Sequence, residues 1–402
     1  MDIKFIFFKN KNLKEKQIFL IIALFSFFIH LLAINFHPTN LEGGYGAYSN
    51  FFENDNKINY VKSYYFTQFN SYIFPLLGSI INEIFPLLDG YQCIKILSSF
   101  SYFFFIYGFV NLCKFFNIKN NFRIVFLILL NPIIWYYGFR AYNDLFAFSL
   151  ALFSFSKILT SKYSYKENLY LVILGFAAAI KIYALIFLPF IFFLKNTNNF
   201  SKSKKIIFFY KIILSLLPLM VLNIITYKYF DFILSPENQD LQIAFFGNDE
   251  TRDIIYVFNN FVFYIGYICL ITLPFTFFLY LNNTNKNKVL NYITLLFVLF
   301  FSIFIQEKFF IASELDLGPL QMYIPDNIYK TAIIFLFFVF FIILINMIFY
   351  SQIKKKLALL LLIIITYCFF LSFIKASQRY LILPLPLFII FLFFCDFFKN
   401  KV

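Results

Sequence analysis

The sequence predicts an all-α, polytopic membrane protein with about 12 transmembrane helices, and three observations carry that prediction. Hydrophobic residues make up 61% of the 402 positions and charged residues only 13%, where a soluble domain has roughly 45–50% and about 25%. The apolar residues come in runs long enough to cross a bilayer as helix, which takes about 20 residues. Lysines concentrate in the short connections between those runs, as they do on the cytoplasmic side of membrane proteins. A soluble fold could not hide 67 Phe and 29 Tyr behind 34 basic and 20 acidic residues. The same composition excludes intrinsic disorder, a disulfide scaffold and a soluble nucleic-acid binder. The net charge of +14 therefore belongs to loops beside lipid headgroups, and nucleic acid is not an expected partner.

The elements follow in chain order. Met1–Lys16 carries Lys4, Lys9, Lys11, Lys14 and Lys16, and an apolar run over 17–36 follows. That run has no small-residue cleavage site, so it reads as a retained signal-anchor with the N-terminus in the cytoplasm. Further apolar runs cover about 92–113, 123–138, 143–159, 169–194, 206–227, 255–281, 289–306, 331–350, 357–374 and 380–397. As one helix, 169–194 would be ~39 Å long and would leave one of its two Lys-rich flanks outside. Two short helices joined near Lys181 return the chain to the cytoplasm instead. With that break there are 12 membrane segments, both termini are inside, and residues 1–402 form one integral-membrane domain. The cytoplasmic segments then hold 22 Lys/Arg and only four acids (Asp2, Glu15, Glu167, Asp396), while Lys95 and Lys211 fall inside helices. The substantial loops, 37–91, 228–254 and 307–330, lie outside, where function on a rigid scaffold is expected.

Metal and disulfide chemistry have little support in the sequence. The five cysteines (Cys93, Cys113, Cys269, Cys368, Cys395) lack CxxC spacing, and His30 and His37 are the two histidines. The outer acids remain an alternative host for Mg²⁺ or Mn²⁺, but no cofactor is indicated.

Charged residues at membrane depth are costly, so each is a functional candidate. Glu42 lies just beyond the first helix, beside Gly43 and Gly44, with Glu53 and Asp55 further along the same loop. Arg140 and Asp144 stand four residues apart at the junction of two runs and would pair if that stretch were helical. Lys181 sits in the middle of an otherwise uncharged stretch, and Lys375 and Arg379 precede the last run. Arg140, Lys181, Lys375 and Arg379 together place four cations at one depth on the side where positive charge is disfavoured. That layout fits attack on a phosphate-activated group carried by a lipid. An acid, Glu42 with Asp55 as the reserve, accepts a proton from the acceptor hydroxyl; the cations stabilise the departing phosphate; Asp144 orients Arg140.

These motifs resemble those of the GT-C superfamily of integral-membrane glycosyltransferases. Phe36-His37-Pro38 followed by Glu42 sits where many members carry a His-Pro-Asp-Glu or Asp-containing motif. Phe176–Pro189, with Lys181-Ile182-Tyr183, is similar to the Lys-[Ile/Leu]-Tyr-Pro segment of GPI mannosyltransferase I and the bacterial family 87 mannosyltransferases, with Ala184 in place of the proline. Arg140–Asp144 resembles the Arg-containing helix start upstream of that segment. Arg379-Tyr380-Leu381 through Pro386 resembles the Arg-Tyr-Leu…Pro ending of protein-mannosyltransferase-like and aminoarabinose-transferase-like members. The resemblance implies inverting transfer of mannose or another hexose from a polyprenyl-phosphate donor to a lipid-linked or envelope glycan. It also implies an extracytoplasmic active site in a bacterial inner (plasma) membrane, and no nucleotide-binding domain. A lipid-linked-glycan flippase or transporter, which also needs cations for phosphate, and an O-antigen-type polymerase are the alternatives.

Overall fold

The structure, a computed structural model, describes residues 15–35, 73–118, 121–140, 142–161, 163–195, 202–230, 254–283, 288–308, 323–350, 355–373 and 377–399. Among these residues the regular structure is helical and no strand occurs, as the apolar runs require. In chain order the α-helices are α1 (Glu15–Leu31), α2 (Ile73–Ile84), α3 (Gly90–Phe115), α4 (Asn121–Leu129), α5 (Pro132–Gly138), α6 (Asn143–Thr160), α7 (Ser164–Ile180) and α8 (Phe187–Lys195). They continue with α9 (Lys202–Phe230), α10 (Ile254–Leu270), α11 (Leu273–Asn283), α12 (Lys288–Ile305), α13 (Asp326–Tyr350), α14 (Lys355–Ser372) and α15 (Pro384–Lys399). Two of them contain spans long and apolar enough to cross a membrane by length and composition, Gly90–Phe115 and Asp326–Met347. Other apolar helices run for 10–17 residues.

Local chemistry sets several boundaries that hydropathy alone placed differently. The run 123–138 is two helices, because Asn131 stops the first and caps the second: its side chain accepts from the N–H of Ile133 at 3.1 Å, with Pro132 in the first helical position. The run 255–281 is also two helices. Thr272 bonds back to the Ile268 carbonyl at 2.7 Å and Pro274 follows, which favours a break. α2 lies within what reads in sequence as outer loop, yet Ile73, Phe74, Pro75, Gly78, Ser79 and Asn82 are buried. The break near Lys181 is present. α7 ends at Ile180, Lys181 is extended (φ −143°, ψ 109°), and a 3-10 turn, Ile182–Ile186, leads into α8.

The helices pack in two groups. In the first, α3 is central: it packs on α1, α2 and, most extensively, α6, and α6 continues through α7 to α9. Gly108 makes the α3–α6 approach possible, since a Cβ there would stand 2.7 Å from the backbone nitrogen of Phe153. In the second group α10 packs on α13 and α14, with α12 against α13 and α15 against α11 and α14. Three features join the groups. α8 packs on both α6 and α14. The Asn131 amide donates to the Ile271 carbonyl at 3.1 Å. A 3-10 turn, Gln378–Ile382, packs against α5, α6 and α10.

Candidate functional site

The site is built where those groups meet. α6 and α7 form an antiparallel hairpin with a short connection, so Asp144 in the first turn of α6 returns to the level of Lys181 just beyond α7. The 3-10 turn Gln378–Ile382 brings Arg379 to the same place from the second group. Lys181 Nζ lies 3.3 Å from Asp144 Oδ1 and Arg379 Nε lies 3.7 Å from Asp144 Oδ2. The carboxylate is wholly buried, and the Lys181 and Arg379 side chains are only 9% and 12% exposed. Burying a lone carboxylate would cost several kcal/mol on the order of the penalties known for unpaired ions; the two cations beside it offset that cost.

Tyrosines wall the cluster. Lys181 Nζ lies 5.7 Å from the Tyr380 ring centroid, and the Arg379 guanidinium is 5.6 Å from Tyr142 and 5.2 Å from Tyr380. Tyr183 meets Tyr380 edge-on at 5.2 Å. Such cation–π contacts keep a desolvated cation favourable without adding charge. The turn that carries Arg379 is fixed by its backbone: the Tyr367 hydroxyl donates to the Tyr380 carbonyl at 3.0 Å, and the Ser377 N–H donates to the Tyr264 hydroxyl at 3.1 Å. The buried Gln378 amide donates to the Tyr329 hydroxyl at 3.0 Å. The two cation-bearing breaks are alike. Lys181 and Ser377 have nearly the same extended backbone (φ −143° and −144°), and each precedes a five-residue 3-10 turn that leads into a helix.

One sequence expectation is corrected. Asp144 pairs with Lys181 and Arg379, not with Arg140. Arg140 lies in a turn and α6 starts only at Asn143, so the helical spacing that would juxtapose residues 140 and 144 is not formed. The Arg140 guanidinium lies 5.4 Å from the Tyr136 ring, and its carbonyl accepts from the Ser98 hydroxyl at 3.2 Å. Glu42, Asp55 and Lys375 lie outside the described residues. Among the described residues no three His, Cys, Asp or Glu side chains group as a metal site.

Sequence reasoning missed the residues that hold this region in place. His30 on α1 has its Nδ1 2.7 Å from the Ser26 carbonyl, which requires a proton there; in the neutral ring Nε2 then accepts from the Tyr102 hydroxyl at 2.8 Å. That hydroxyl also lies 3.0 Å from the Ile134 carbonyl, and the imidazole packs among Tyr102, Trp135 and Phe139. The knot ties α1 and α3 to α5, the helix that leads into Tyr142 and Asp144. A histidine in an apolar run was the available signal. Two further cations are accounted for locally: Lys95 donates to the Ala33 carbonyl and lies 5.2 Å from the Tyr91 ring, and Lys211 pairs with Glu167. Comparisons with protein-family models, with curated proteins and with solved structures gave no match to this chain.

Proposed function

We propose that the chain is a multi-spanning membrane glycosyltransferase that transfers mannose or another hexose from a polyprenyl-phosphate donor to a glycan or glycolipid acceptor. In this reading it has about 12 membrane segments, cytoplasmic termini and its site on the extracytoplasmic side of a bacterial plasma membrane. The observation that carries it is the convergence of Lys181 and Arg379, from helix groups remote in sequence, on the buried Asp144. An aromatic-walled cluster that brings two cations together between apolar helices suits a phosphate whose greasy tail lies alongside them. The outward faces support the lipid environment: Phe297, Phe300 and Phe304 on α12 are 69%, 70% and 79% exposed, an apolar stripe at helical spacing that water would oppose.

Within this reading Glu42, with Asp55 as the alternative, is the base, and Arg140 and Lys375 assist Lys181 and Arg379 at the donor phosphate. The test is transfer of radiolabelled sugar from polyprenyl-phosphate mannose and its glucose and galactose counterparts in proteoliposomes that contain the total lipid-linked glycans of the source membrane. E42Q is expected to abolish transfer at wild-type protein level, and R379Q to raise the donor KM at least tenfold. Near-normal turnover in E42Q removes Glu42 as base. Lipid movement across the bilayer with no sugar transferred would favour a flippase.

A further inference from the structure

We propose that α2 is a re-entrant half-span: it enters the bilayer beside the N-terminal half of α3, and its outward face and the turn that follows it contact lipid instead of water. The inference rests on the reading of α3 as a membrane span and on nothing about the reaction. Connectivity sets the depth. Gly90–Phe115 is long and apolar enough to cross a membrane, and residues 85–89 alone separate α2 from its start, so the turn they form stands at the membrane boundary. From that turn α2 runs back along α3. The Phe74 ring, near its far end, lies 5.9 Å from Phe146 on α6, and Phe104, well inside α3, lies 6.5 Å from the same ring. The 12 residues of α2 make ~18 Å of helix, a little over half of the ~30 Å hydrocarbon core. α2 therefore reaches into the bilayer without crossing it.

The surface of α2 is that of a helix in lipid. It turns Gly78, Ser79 and Asn82 inward together with Ile73 and Phe74, and leaves Ile80 and Ile84 46% and 64% exposed, where a helix facing water would show its polar residues. Phe85 and Leu87 in the turn are 55% and 98% exposed. Hydrogen bonds fix that turn. The Phe85 N–H donates to the Ile81 carbonyl at 2.8 Å, the Leu88 N–H to the Phe85 carbonyl at 3.0 Å and the Asn82 amide to the Leu88 carbonyl at 2.7 Å. The Ser79 hydroxyl donates to the Leu76 carbonyl at 2.8 Å. These polar groups find their partners within the protein, the condition for such groups at membrane depth. Residues 73–82 carry no charge, and the acids Glu83 and Asp89 stand at the tip, exposed, at the level of the headgroups. Lipid is the occupant that this position selects, because α3, which α2 flanks, needs the same surroundings. α2 also touches α7 and, through Phe74, the first turn of α6, so the half-span is a lipid-side wall of the helices that carry Asp144 and lead to Lys181.

The test uses the full chain in nanodiscs of phosphatidylcholine brominated either early or late along the acyl chain, with iodide as the aqueous quencher. L87W, I80W and, as the reference on α3, F100W each add one tryptophan at an exposed position, and wild type with its single tryptophan, Trp135, gives the background. The fluorescence that I80W adds is expected to be quenched at least twofold more by bromolipid than by iodide, and more by the late bromine than that of L87W. Where I80W fails to fold, I84W, at a more exposed position, takes its place. F100W quenched by lipid and I80W by iodide overturns the proposal and keeps α3 as a span. All three quenched by iodide alone removes the span itself, and the half-span with it. I80W quenched by neither, with F100W quenched by lipid, means that another part of the chain covers α2 and overturns the proposal. L87W quenched more by the late bromine than I80W reverses the direction of α2 and overturns it too.

Discussion

At Gly138 one added methyl group would reach across three helices. A Cβ there would stand 1.8 Å from the Tyr102 hydroxyl and 2.9 Å from His30 Cδ2, inside the knot that holds α5 on α1 and α3. G138A must expel the Tyr102 side chain or shift α5, and is expected to cost about 3 kcal/mol, the range for overpacking plus lost buried hydrogen bonds. Y102F alone removes the hydroxyl and leaves His30 Nε2 unpaired, a loss of roughly 1–2 kcal/mol. Because the severest overlap is with that hydroxyl, while Tyr102 Cζ at 2.8 Å and His30 Cδ2 at 2.9 Å stay close, the double variant G138A/Y102F is expected to lose less than the sum, read by thermal unfolding in detergent. Additive losses would show that α5 moves whatever Tyr102 does. Neither residue was legible as a pair: nothing in a lone glycine and a lone tyrosine of two apolar runs says that their helices cross there.

At the scale of the helix, α7 and α9 are joined by the Glu167–Lys211 ion pair, with side-chain exposures of 8% and 20%. In the sequence Glu167 reads as a loop acid and Lys211 as an isolated cation within a helix; the pairing answers the cost of both. K211M removes the Lys211 cation from a largely buried carboxylate and is expected to destabilise by about 3 kcal/mol, whereas E167M/K211M, which removes both charges, is expected to stay closer to wild type. Thermal unfolding of both variants checks this, and equal losses would remove the ion pair as the cause. The same contrast explains what the sequence revealed of the site. Lys181 and Arg379 stood out because a cation in an apolar run must be compensated, and the break at Lys181 followed from the Lys-rich flanks on both sides. Asp144 stood out too, but its visible neighbour was Arg140, whereas its true partners come from the end of α7 and from beyond α14. A one-dimensional reading supplies near pairs such as residues 140 and 144; the two 3-10 turns that bring the remote ones together have no hydropathy signature. α2 escaped for a related reason: its buried face is short and sits in a stretch that reads as loop.

At the scale of the whole molecule, the Asp144 cluster can serve the proposed reaction only if both helix groups set it on one side of the bilayer. The α6–α7 hairpin already places Asp144 and Lys181 at the same end, and the ion pair with Arg379 brings the second group to that end. In the proposed topology the side follows from the charge asymmetry of the connections, above all across α9, a 29-residue helix with the Lys-rich 195–205 segment before it and the acid-bearing 228–254 segment after it. In the proposed reading, positive-inside bias puts the first segment in the cytoplasm and the second outside. Single cysteines at positions 199 and 248, N199C and N248C, in a chain stripped of its native cysteines test this with a membrane-impermeant maleimide on intact spheroplasts. N248C is expected to label without permeabilisation and N199C only after it. Because α7 precedes the 195–205 segment and returns through the break at Lys181, this result would also place the cations at the outer leaflet, where an extracytoplasmic lipid-phosphate sugar presents its headgroup. Labelling of both positions from one side would mean that α9 does not cross, and the cluster would then face a different compartment from the one the proposed reaction needs.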